Sequence, residues 1–489
     1  MEANNTINPI QPNQRQKPIR FYTLSFLILI ISLLITLSNT NYFKIQRLKS
    51  SFTSSNPTTV TLLQSIFNFL HQKTLAHPIS KHPHCVLWMA PFFSGGGYSS
   101  ESWSYILAIN EFIKQNPRFG LTIEHHGDLE SIDFWDGLPQ NDKDIAFELY
   151  NTPCQVNKTV VVCHSEPGAW YPPLFQTLPC PPVGYKQFLS VIGRTMFETD
   201  RVNAGHVKRC NKMDHVWVPT DFHVSTFVKS GVDPSKVVKI VQPIDVEFFN
   251  PIKYHPLALK SVGNLVLGSK KVDSDKPFVF LSVFKWEYRK GWDVLLRAYL
   301  KEFSKADDVA LYLLTNPYHS DRNFGNKIVD FVEDSDLEKP RKGWAPIYVI
   351  DTHIAQIDLP RLYKAADAFV LPSRGEGWGR PLVEAMAMAL PVITTNWSGP
   401  TEYLTEENSY PLFVDTMSEV KEGPFEGHLW AEPSSEKLQV LMRDVMSNVQ
   451  KAKAKGKKAR EDMIRKFSPE IVAKIVTDNI HNIIDSATR

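Results

Sequence analysis

Short apolar runs alternate with segments of helical periodicity over most of this chain, and that alternation constrains its fold more than any other feature. In the first half, a helical pattern spans residues 101–115. The apolar runs lie at 85–89, 121–125, 159–163, 216–219 and 237–241. Because these runs are apolar at nearly every position, they are typical of parallel strands that helices cover on both faces. The sequence therefore predicts an α/β domain with a parallel sheet.

The same alternation restarts after a polar stretch at 251–276. The second series of apolar runs lies at 278–284, 309–315, 347–350, 368–372, 392–395 and 412–414. We therefore predict two parallel-sheet domains, at 81–250 and 251–489, the second ending in helices that break near Ser468 and Pro469. Two such domains place a cleft between them, at the carboxyl ends of the strands, where ligands of open α/β sheets bind.

The N-terminal part of the chain has a different pattern. Residues 21–37 carry no charge and would form a helix about 26 Å long, enough for a thin bilayer. We interpret 1–20 as a tail, 21–38 as an uncleaved transmembrane anchor, and 39–80, rich in Ser, Thr and Asn, as a stem. A cleaved signal peptide is the alternative, but the run is long for one and no small-x-small cleavage site follows it.

Charge and cysteine usage exclude some classes of function. The net charge is only +2, so we expect no nucleic-acid partner. The five cysteines contain no C-x-x-C pair and no histidine spacing of a zinc site, so no metal site is predicted. Cys154 and Cys180, both next to prolines, are the pair expected to form a disulfide in an oxidising compartment. A glycosylation sequon at Asn157 is compatible with such a compartment.

One glycine-rich segment carries the strongest sign of chemistry. A predicted strand ends at Pro372, a glycine-rich loop follows, and a helix opens near Arg380. Gly377 and Gly379 would let backbone N–H groups approach a diphosphate, and the helix dipole favours its negative charge.

Two carboxylates belong to this segment, Glu376 in the loop and Glu384 about one turn into the helix. Carboxylates suit sugar hydroxyls, which they bind as acceptors. The alternative is that both are solvated surface acids. The small-residue stretch after Glu384 indicates close packing on a sheet, and a carboxylate in such a place requires a partner.

Two further clusters lie at predicted strand ends. Lys285 and Lys290 follow the first strand of the second domain, where two cations could neutralise a leaving diphosphate; solvated surface lysines are the alternative. Gly95, Gly96 and Gly97 follow the first strand of the first domain and could approach a phosphate. They lack the G-x-G-x-x-G spacing, and a tight strand-to-helix turn explains them equally well.

His164 closes another predicted strand on the same side. Its ring could hydrogen-bond a donor sugar, or it could be a histidine whose hydrogen bonds are satisfied in the core. The aromatic residues Trp170, Tyr171 and Phe175 follow it, either as platforms for a sugar or as packing residues.

The run EGWGRPLVEAMAMALPVITTNWSGPTEYL resembles the signature of the family 4 retaining glycosyltransferases, also called the group 1 glycosyl transferases. The similarity extends to Lys285, Lys290, the glycines at 95–97 and His164, and covers most of 85–420. It implies a GT-B fold, in which two Rossmann-like domains face each other across a cleft. The second domain would hold a nucleotide-sugar donor and the first an acceptor, with no metal or other cofactor and with retention of anomeric configuration.

The resemblance also implies roles for individual residues. Glu376 would bind the donor sugar, Glu384 the ribose, Lys285 and Lys290 the diphosphate, and His164 the transferring sugar. Glu376, His164 and Lys290 are the residues expected to be catalytic. The remaining donor-site residues would be the glycines at 95–97, Gly377, Trp378 and Gly379. The family more often has Arg at the position of Lys285, and Lys offers a point charge instead of a bidentate fork.

Combined with the predicted anchor, the resemblance implies a single-pass type II protein of the Golgi or ER membrane with a luminal body. The acceptor would be a glycan, a protein or a lipid. Two other hypotheses stay open. One is an inactive sugar-nucleotide binder or scaffold of the same fold. The other is a metal-dependent GT-A transferase that uses an Asp-x-Asp pair, available at 273–275 or 334–336.

Overall fold

A computed structural model of the chain describes residues 82–271, 276–317, 322–352 and 354–489. The chain divides into two units, Met1–Thr74 and Leu75–Arg489, and all described residues belong to the second. The predicted tail, anchor and stem therefore lie outside the described residues. The Asp-x-Asp pair at 273–275 also lies outside them.

A six-stranded sheet forms the centre of what we call the first lobe. Its strands are β1 (Cys85–Ala90), β2 (Gly120–His125), β3 (Thr159–His164), β4 (Ser190–Arg194), β5 (His215–Val218) and β6 (Val237–Lys239). They are ordered β2-β1-β3-β4-β5-β6, and every pair is parallel. The helices are α1 (Gly97–Gln115), α2 (Ile132–Gly137), α3 (Gln140–Tyr150), α4 (Ala204–Cys210) and α5 (Asp221–Lys229). The central strands are buried along their whole length, as a parallel sheet covered on both faces requires.

The second lobe is built around a seven-stranded sheet. Its strands are β7 (Asn264–Leu267), β8 (Phe278–Trp286), β9 (Val309–Pro317), β10 (Ile347–Ile350), β11 (Ala368–Leu371), β12 (Val392–Thr395) and β13 (Tyr410–Leu412). The order is β13-β12-β11-β8-β9-β10-β7, and only the edge strand β7 runs antiparallel to its neighbour. The helices up to β13 are α6 (Leu259–Val262), α7 (Trp292–Glu302), α8 (Phe324–Glu333), α9 (Leu359–Lys364) and α10 (Arg380–Ala387).

A two-stranded antiparallel hairpin of β14 (Thr416–Glu419) and β15 (Leu429–Glu432) follows β13. The chain then ends in three helices, α11 (Ser435–Ser447), α12 (Val449–Phe467) and α13 (Pro469–Thr488). The break between the last two falls at Ser468, where the following proline disfavours a continuous helix.

The last helix corrects the predicted division of the chain. Although α13 follows the second lobe in sequence, its apolar stripe packs in the core of the first lobe, together with β1 and α1. Trp217 Nε1 on β5 also donates a hydrogen bond of 3.1 Å to Asn479 Oδ1 on this helix. The chain thus crosses back after Phe467, and a second domain that runs to residue 489 misplaces its last helix.

The predicted disulfide between Cys154 and Cys180 is wrong. Cys154 is bonded to Cys85 on β1, and Cys180 is bonded to Cys163 on β3. Each loop cysteine thus pairs with a strand residue, since the two loops lie against neighbouring strands. Cys210 is a buried thiol.

Candidate functional site

The glycine-rich loop at 372–379 joins β11 to α10 at the carboxyl edge of the second sheet. Gly379 has a φ of 90°, a left-handed conformation that L side chains rarely adopt. Ser398 and Gly399 hold the loop from the next strand connection. The N–H of Glu376 donates to Ser398 Oγ at 2.9 Å, and the N–H of Gly399 donates to the Glu376 carbonyl at 2.9 Å. These hydrogen bonds to the backbone of Glu376 fix the loop, as a binding loop on a rigid scaffold requires.

Lys290 reaches the carboxylate of Glu376 from the loop after β8. Its Nζ donates to Oε1 at 2.7 Å and to Oε2 at 2.9 Å. The adjacent Gly291 has a φ of 66°, and a Cβ on it would lie 2.0 Å from the carbonyl oxygen of Pro372. Only glycine fits this close approach, which brings the lysine turn against the end of β11 and so sets the ion pair.

Arg289 is a second cation beside this carboxylate, and it is not among the site residues predicted from the sequence. Its Nη1 donates to the Gly375 carbonyl at 2.5 Å and lies 3.6 Å from Glu376 Oε2. Burial alone would raise the pKa of Glu376, but Lys290 and Arg289 outweigh it and hold that pKa below its usual value. The carboxylate is therefore ionised and paired at neutral pH.

Lys285, the other lysine predicted to bind a diphosphate, lies near the end of β8 with an exposed side chain. Within the described residues, its amine forms no hydrogen bond or ion pair. The pair of cations that the structure brings together at Glu376 is thus Arg289 and Lys290. The signal that could have found Arg289 is its position in the same tight turn, one residue before Lys290.

Glu384 has a different environment from Glu376. Tyr363 on α9 donates its hydroxyl to Glu384 Oε2 at 2.8 Å, and Arg380 Nε is 4.0 Å from Oε1. Burial raises the pKa of Glu384, and the opposing effects of Arg380 and Tyr363 do not cancel it. The two predicted carboxylates therefore have pKa values shifted in opposite directions, as is common where two acids have different roles.

The structure places the indole of Trp378, predicted to belong to the donor site, in the core of the second lobe. Its side chain is 2% exposed and packs edge-on against Tyr403 and Phe467, with ring centroids 5.2 Å and 5.5 Å away. Its backbone carbonyl accepts a hydrogen bond of 2.5 Å from the Tyr403 hydroxyl. The indole belongs to the core of the second lobe and presents no face to a sugar.

His164 is also placed differently from the expected catalytic position. The ring is fully buried, Trp88 Nε1 donates to its Nδ1 at 3.1 Å, and its Nε2 lies 3.1 Å from Glu101 Oε2. That second pair is close but poorly aligned for a hydrogen bond. Burial lowers the pKa of His164, so the imidazole is neutral, consistent with Nδ1 acting as an acceptor. The structure supports the core histidine and gives a sugar no access to the ring.

Beneath His164, Glu101 and Arg194 form a fully buried ion pair. Arg194 donates to Glu101 Oε1 from Nη2 at 2.6 Å and from Nε at 2.9 Å. Burial would raise the pKa of Glu101, but Arg194 and His164 lower it to about 2. The pair fixes the end of β4, from which the chain runs toward the second lobe.

The residues after β4 lie directly on the glycine-rich loop of the second lobe. A Cβ on Gly375 would lie 2.5 Å from the carbonyl oxygen of Glu198, and a Cβ on Gly377 would lie 2.7 Å from Met196 Sδ. Trp397 Nε1 also donates to the Glu198 carbonyl at 3.4 Å. These glycines are therefore required by contact between the lobes as well as by the loop itself.

The glycines at 95–97 form the turn between β1 and α1. Gly95 has a φ of 70°, and a Cβ on it would lie 2.9 Å from the ring of Phe134. Gly97, by contrast, has open space where a Cβ would be. A tight turn explains Gly95, and the role of all three glycines in donor binding stays a prediction. Of the aromatic residues after His164, Trp170 is buried, whereas Tyr171 and Phe175 are exposed.

Comparison with known proteins identifies the second lobe. Residues 275–421 match the family "Glycosyl transferases group 1". This segment, which runs from β8 to β14, is similar to that family. O-antigen chain mannosyltransferase B of Escherichia coli is 47% identical over 82 residues, which are 16% of this chain and 20% of that protein. The chain spans less than half the length of the curated relatives it matches.

Solved structures show a likeness of fold that extends over both lobes of this chain. Sucrose-phosphate synthase from Thermosynechococcus elongatus aligns with a TM-score of 0.54 at 15% identity, over 82% of this chain and 100% of that one. Anabaena HepE, solved with UDP and glucose, aligns with a TM-score of 0.52 at 12% identity, over the same shares. The predicted GT-B fold of two parallel-sheet domains is confirmed. The curated relatives include a mannosyltransferase and a D-inositol 3-phosphate glycosyltransferase, which is the enzyme class predicted from the sequence.

The predicted location, a single-pass Golgi or ER membrane with a luminal body, is contradicted. Among the described residues, no helix is both long and apolar enough to cross a bilayer. The two longest near the C-terminus, α12 and α13, carry charged residues along their lengths. The curated relatives that match are bacterial proteins. The proposed anchor at 21–38 lies outside the described residues.

Proposed function

We propose that this protein transfers a sugar from a nucleotide-sugar donor to a hydroxyl group of a glycan, protein or lipid acceptor, without a metal ion and with retention of anomeric configuration. The observation that carries the proposal is the contact of Lys290 with both oxygens of Glu376, beside a glycine-rich loop that opens a helix. Together they provide a carboxylate for sugar hydroxyls and a cation with backbone N–H groups for a diphosphate.

In the proposed reaction, the bond between the anomeric carbon and the phosphate oxygen breaks, and its electron pair leaves with the nucleoside diphosphate. The acceptor oxygen bonds to the anomeric carbon from the same face, and its proton passes to the departing phosphate oxygen. Negative charge therefore grows on the diphosphate in the transition state. Lys290 and Arg289 are placed to stabilise that charge, which is the contribution that most lowers barriers of this kind.

The test is a panel of UDP-, GDP- and ADP-linked sugars, incubated with the purified full chain, with release of the nucleoside diphosphate as the readout. UDP-linked sugars come first because the structure of HepE contains UDP and glucose. We expect release from at least one donor, and we expect it to continue in the presence of a chelator. Loss of activity with the chelator would refute metal independence, and binding of nucleotide without release would favour an inactive binder.

Two variants connect that activity to the site. Glu376→Gln and Lys290→Met should each lower nucleotide release by about a hundredfold or more while the protein remains folded by circular dichroism. Lys253→Ala is the matched control, because Lys253 forms its ion pair with Glu247 at the surface, at 2.8 Å, and should leave release unchanged. Full activity in either site variant would remove that residue from the donor site.

A further inference from the structure

A carboxylate of the first lobe reaches the cations of the candidate site in the second. Arg289 Nη1 lies 3.5 Å from Glu198 Oε1 and 3.6 Å from Glu376 Oε2. Its other nitrogen, Nη2, donates to Glu287 Oε1 at 2.8 Å. The guanidinium thus lies among three acids. Glu287 and Glu376 belong to the second lobe, and Glu198 comes from across the cleft.

The position of Glu198 is set by the core of the first lobe. Immediately before its segment, Arg194 is fixed by its buried ion pair and by a hydrogen bond of 2.8 Å from Nη1 to the Ile240 carbonyl. Tyr98 contributes a hydrogen bond of 3.1 Å between its hydroxyl and Thr195 Oγ1. With one end anchored in this way, the segment has little freedom to withdraw Glu198 from Arg289 unless the lobes themselves separate.

Backbone and side chain of Glu198 make different contacts. The carbonyl contacts Gly375 and accepts from Trp397, whereas only the carboxylate faces Arg289. A change from Glu to Gln therefore removes the charge opposite Arg289 and leaves the contact between the lobes in place. This separation makes the role of the charge testable without dismantling the interface.

We propose that Glu198 is a positioning residue that holds Arg289 until the donor binds and then gives it up to the diphosphate of the donor. This inference rests on the proposed function. A diphosphate carries more negative charge than a carboxylate and binds a guanidinium by two parallel hydrogen bonds. When it binds beside Lys290 and Arg289, it competes with Glu198 for the same cation. Donor binding and the ion pair between the lobes therefore compete for Arg289.

The experiment measures the affinity of UDP, GDP and ADP for the full chain by calorimetry, and KM and kcat for the donor that the panel identifies. Glu198→Gln should bind the preferred nucleotide more tightly, by about two- to fivefold, the range expected for a partly exposed ion pair. KM for the donor should fall in parallel, and kcat should not rise. Arg289→Gln should bind the nucleotide more weakly than the wild type.

The double variant Glu198→Gln/Arg289→Gln decides whether the two residues act together. We expect the gain in affinity from Glu198→Gln to disappear when Arg289 is absent. The control is Glu402→Gln, which removes the negative charge opposite Lys239 in a 2.8 Å ion pair between the lobes without touching Arg289. That variant should leave nucleotide affinity unchanged if loosening the lobes is not the cause.

Three results would overturn the proposal. Glu198→Gln could bind the nucleotide no more tightly than the wild type, its gain could persist without Arg289, or Glu402→Gln could produce the same gain. Failure of the proposed function has a different outcome, in which the wild type binds none of the three nucleotides and releases none from their sugars.

Discussion

The two glycine-rich turns of this protein have the same place in their sheets but different surroundings. The turn at 94–97 joins β1 to α1, and its last glycine has open space around it. The loop at 372–379 joins β11 to α10, and Gly375 and Gly377 in it lie against Glu198 and Met196 of the other lobe. Glycine after a parallel strand is therefore not by itself a sign of a ligand site. What distinguishes the second loop is the ion pair and the interface that depend on it.

The largest difference in stability should come from the charges beside the two turns. Lys290→Met leaves the buried carboxylate of Glu376 with Arg289 as its remaining cation and should lower the free energy of unfolding by about 2 kcal/mol, less than for a fully orphaned buried charge. The matched change beside the first turn is Asp128→Asn. Asp128 is an exposed acid next to Gly96, and its Oδ2 would lie 3.3 Å from a Cβ on that glycine. That change should have almost no effect. Urea denaturation at neutral pH measures both, and equal effects would break the comparison.

A glycine exchange sharpens the same comparison. Gly375→Ala puts a methyl group against the backbone of Glu198 and should cost about 1–2 kcal/mol of stability through overpacking. It should also lower transfer by about a hundredfold through displacement of the loop. Gly97→Ala, with open space for the methyl group, should melt within a degree or so of the wild type. Equal melting temperatures for the two variants would show that Gly375 does not lie against the backbone of Glu198.

The smallest effect separates Glu376 in the second loop from Glu384 in α10. Glu376 has a lowered pKa, so its contribution to stability is present above the pKa of the unfolded chain and is lost as pH falls through the folded value. Glu384 has a raised pKa, so its contribution is complete below the unfolded pKa and is lost as pH rises through the folded value.

Between acid and neutral pH, the two substitutions should therefore act in opposite directions. Glu376→Gln should lose stability relative to the wild type as pH rises, whereas Glu384→Gln should gain. Denaturation curves collected from pH 4 to 7 give the sign for each variant. The same sign for both would show that the two acids have similar environments.

Much of the fold could be predicted from hydrophobic pattern alone, because a parallel strand buried on both faces is apolar at nearly every position. The strand β4 was missed. Its sequence SVIGR is short and contains Gly193, a residue that usually marks a turn. In the structure a Cβ at Gly193 would lie 2.4 Å from the Trp170 ring, so this glycine is required for packing. Missing β4 also meant missing the segment that carries Glu198 to the other lobe.

The candidate site could be predicted only where its residues are neighbours in sequence. Glu376 and Lys290 were found because each belongs to a recognisable local motif. Arg289 was overlooked, and His164 was assigned to the site, because a sequence does not show which side chains meet in space. The two ring nitrogens of His164 lie against Trp88 and Glu101, which are 76 and 63 residues away in sequence. Contacts of that separation decide whether a polar residue is a ligand or part of the core.

The central claim is that the loop of the second lobe, with Lys290 and Glu376, holds the diphosphate of a nucleotide-sugar donor. Calorimetric binding of the nucleoside diphosphate selected by the donor panel tests this most directly, with the wild type and Lys290→Met measured side by side. Loss of a charge-assisted hydrogen bond should weaken binding by about ten- to a hundredfold. Equal affinity in the two proteins would contradict the account, because the diphosphate would then have to bind elsewhere.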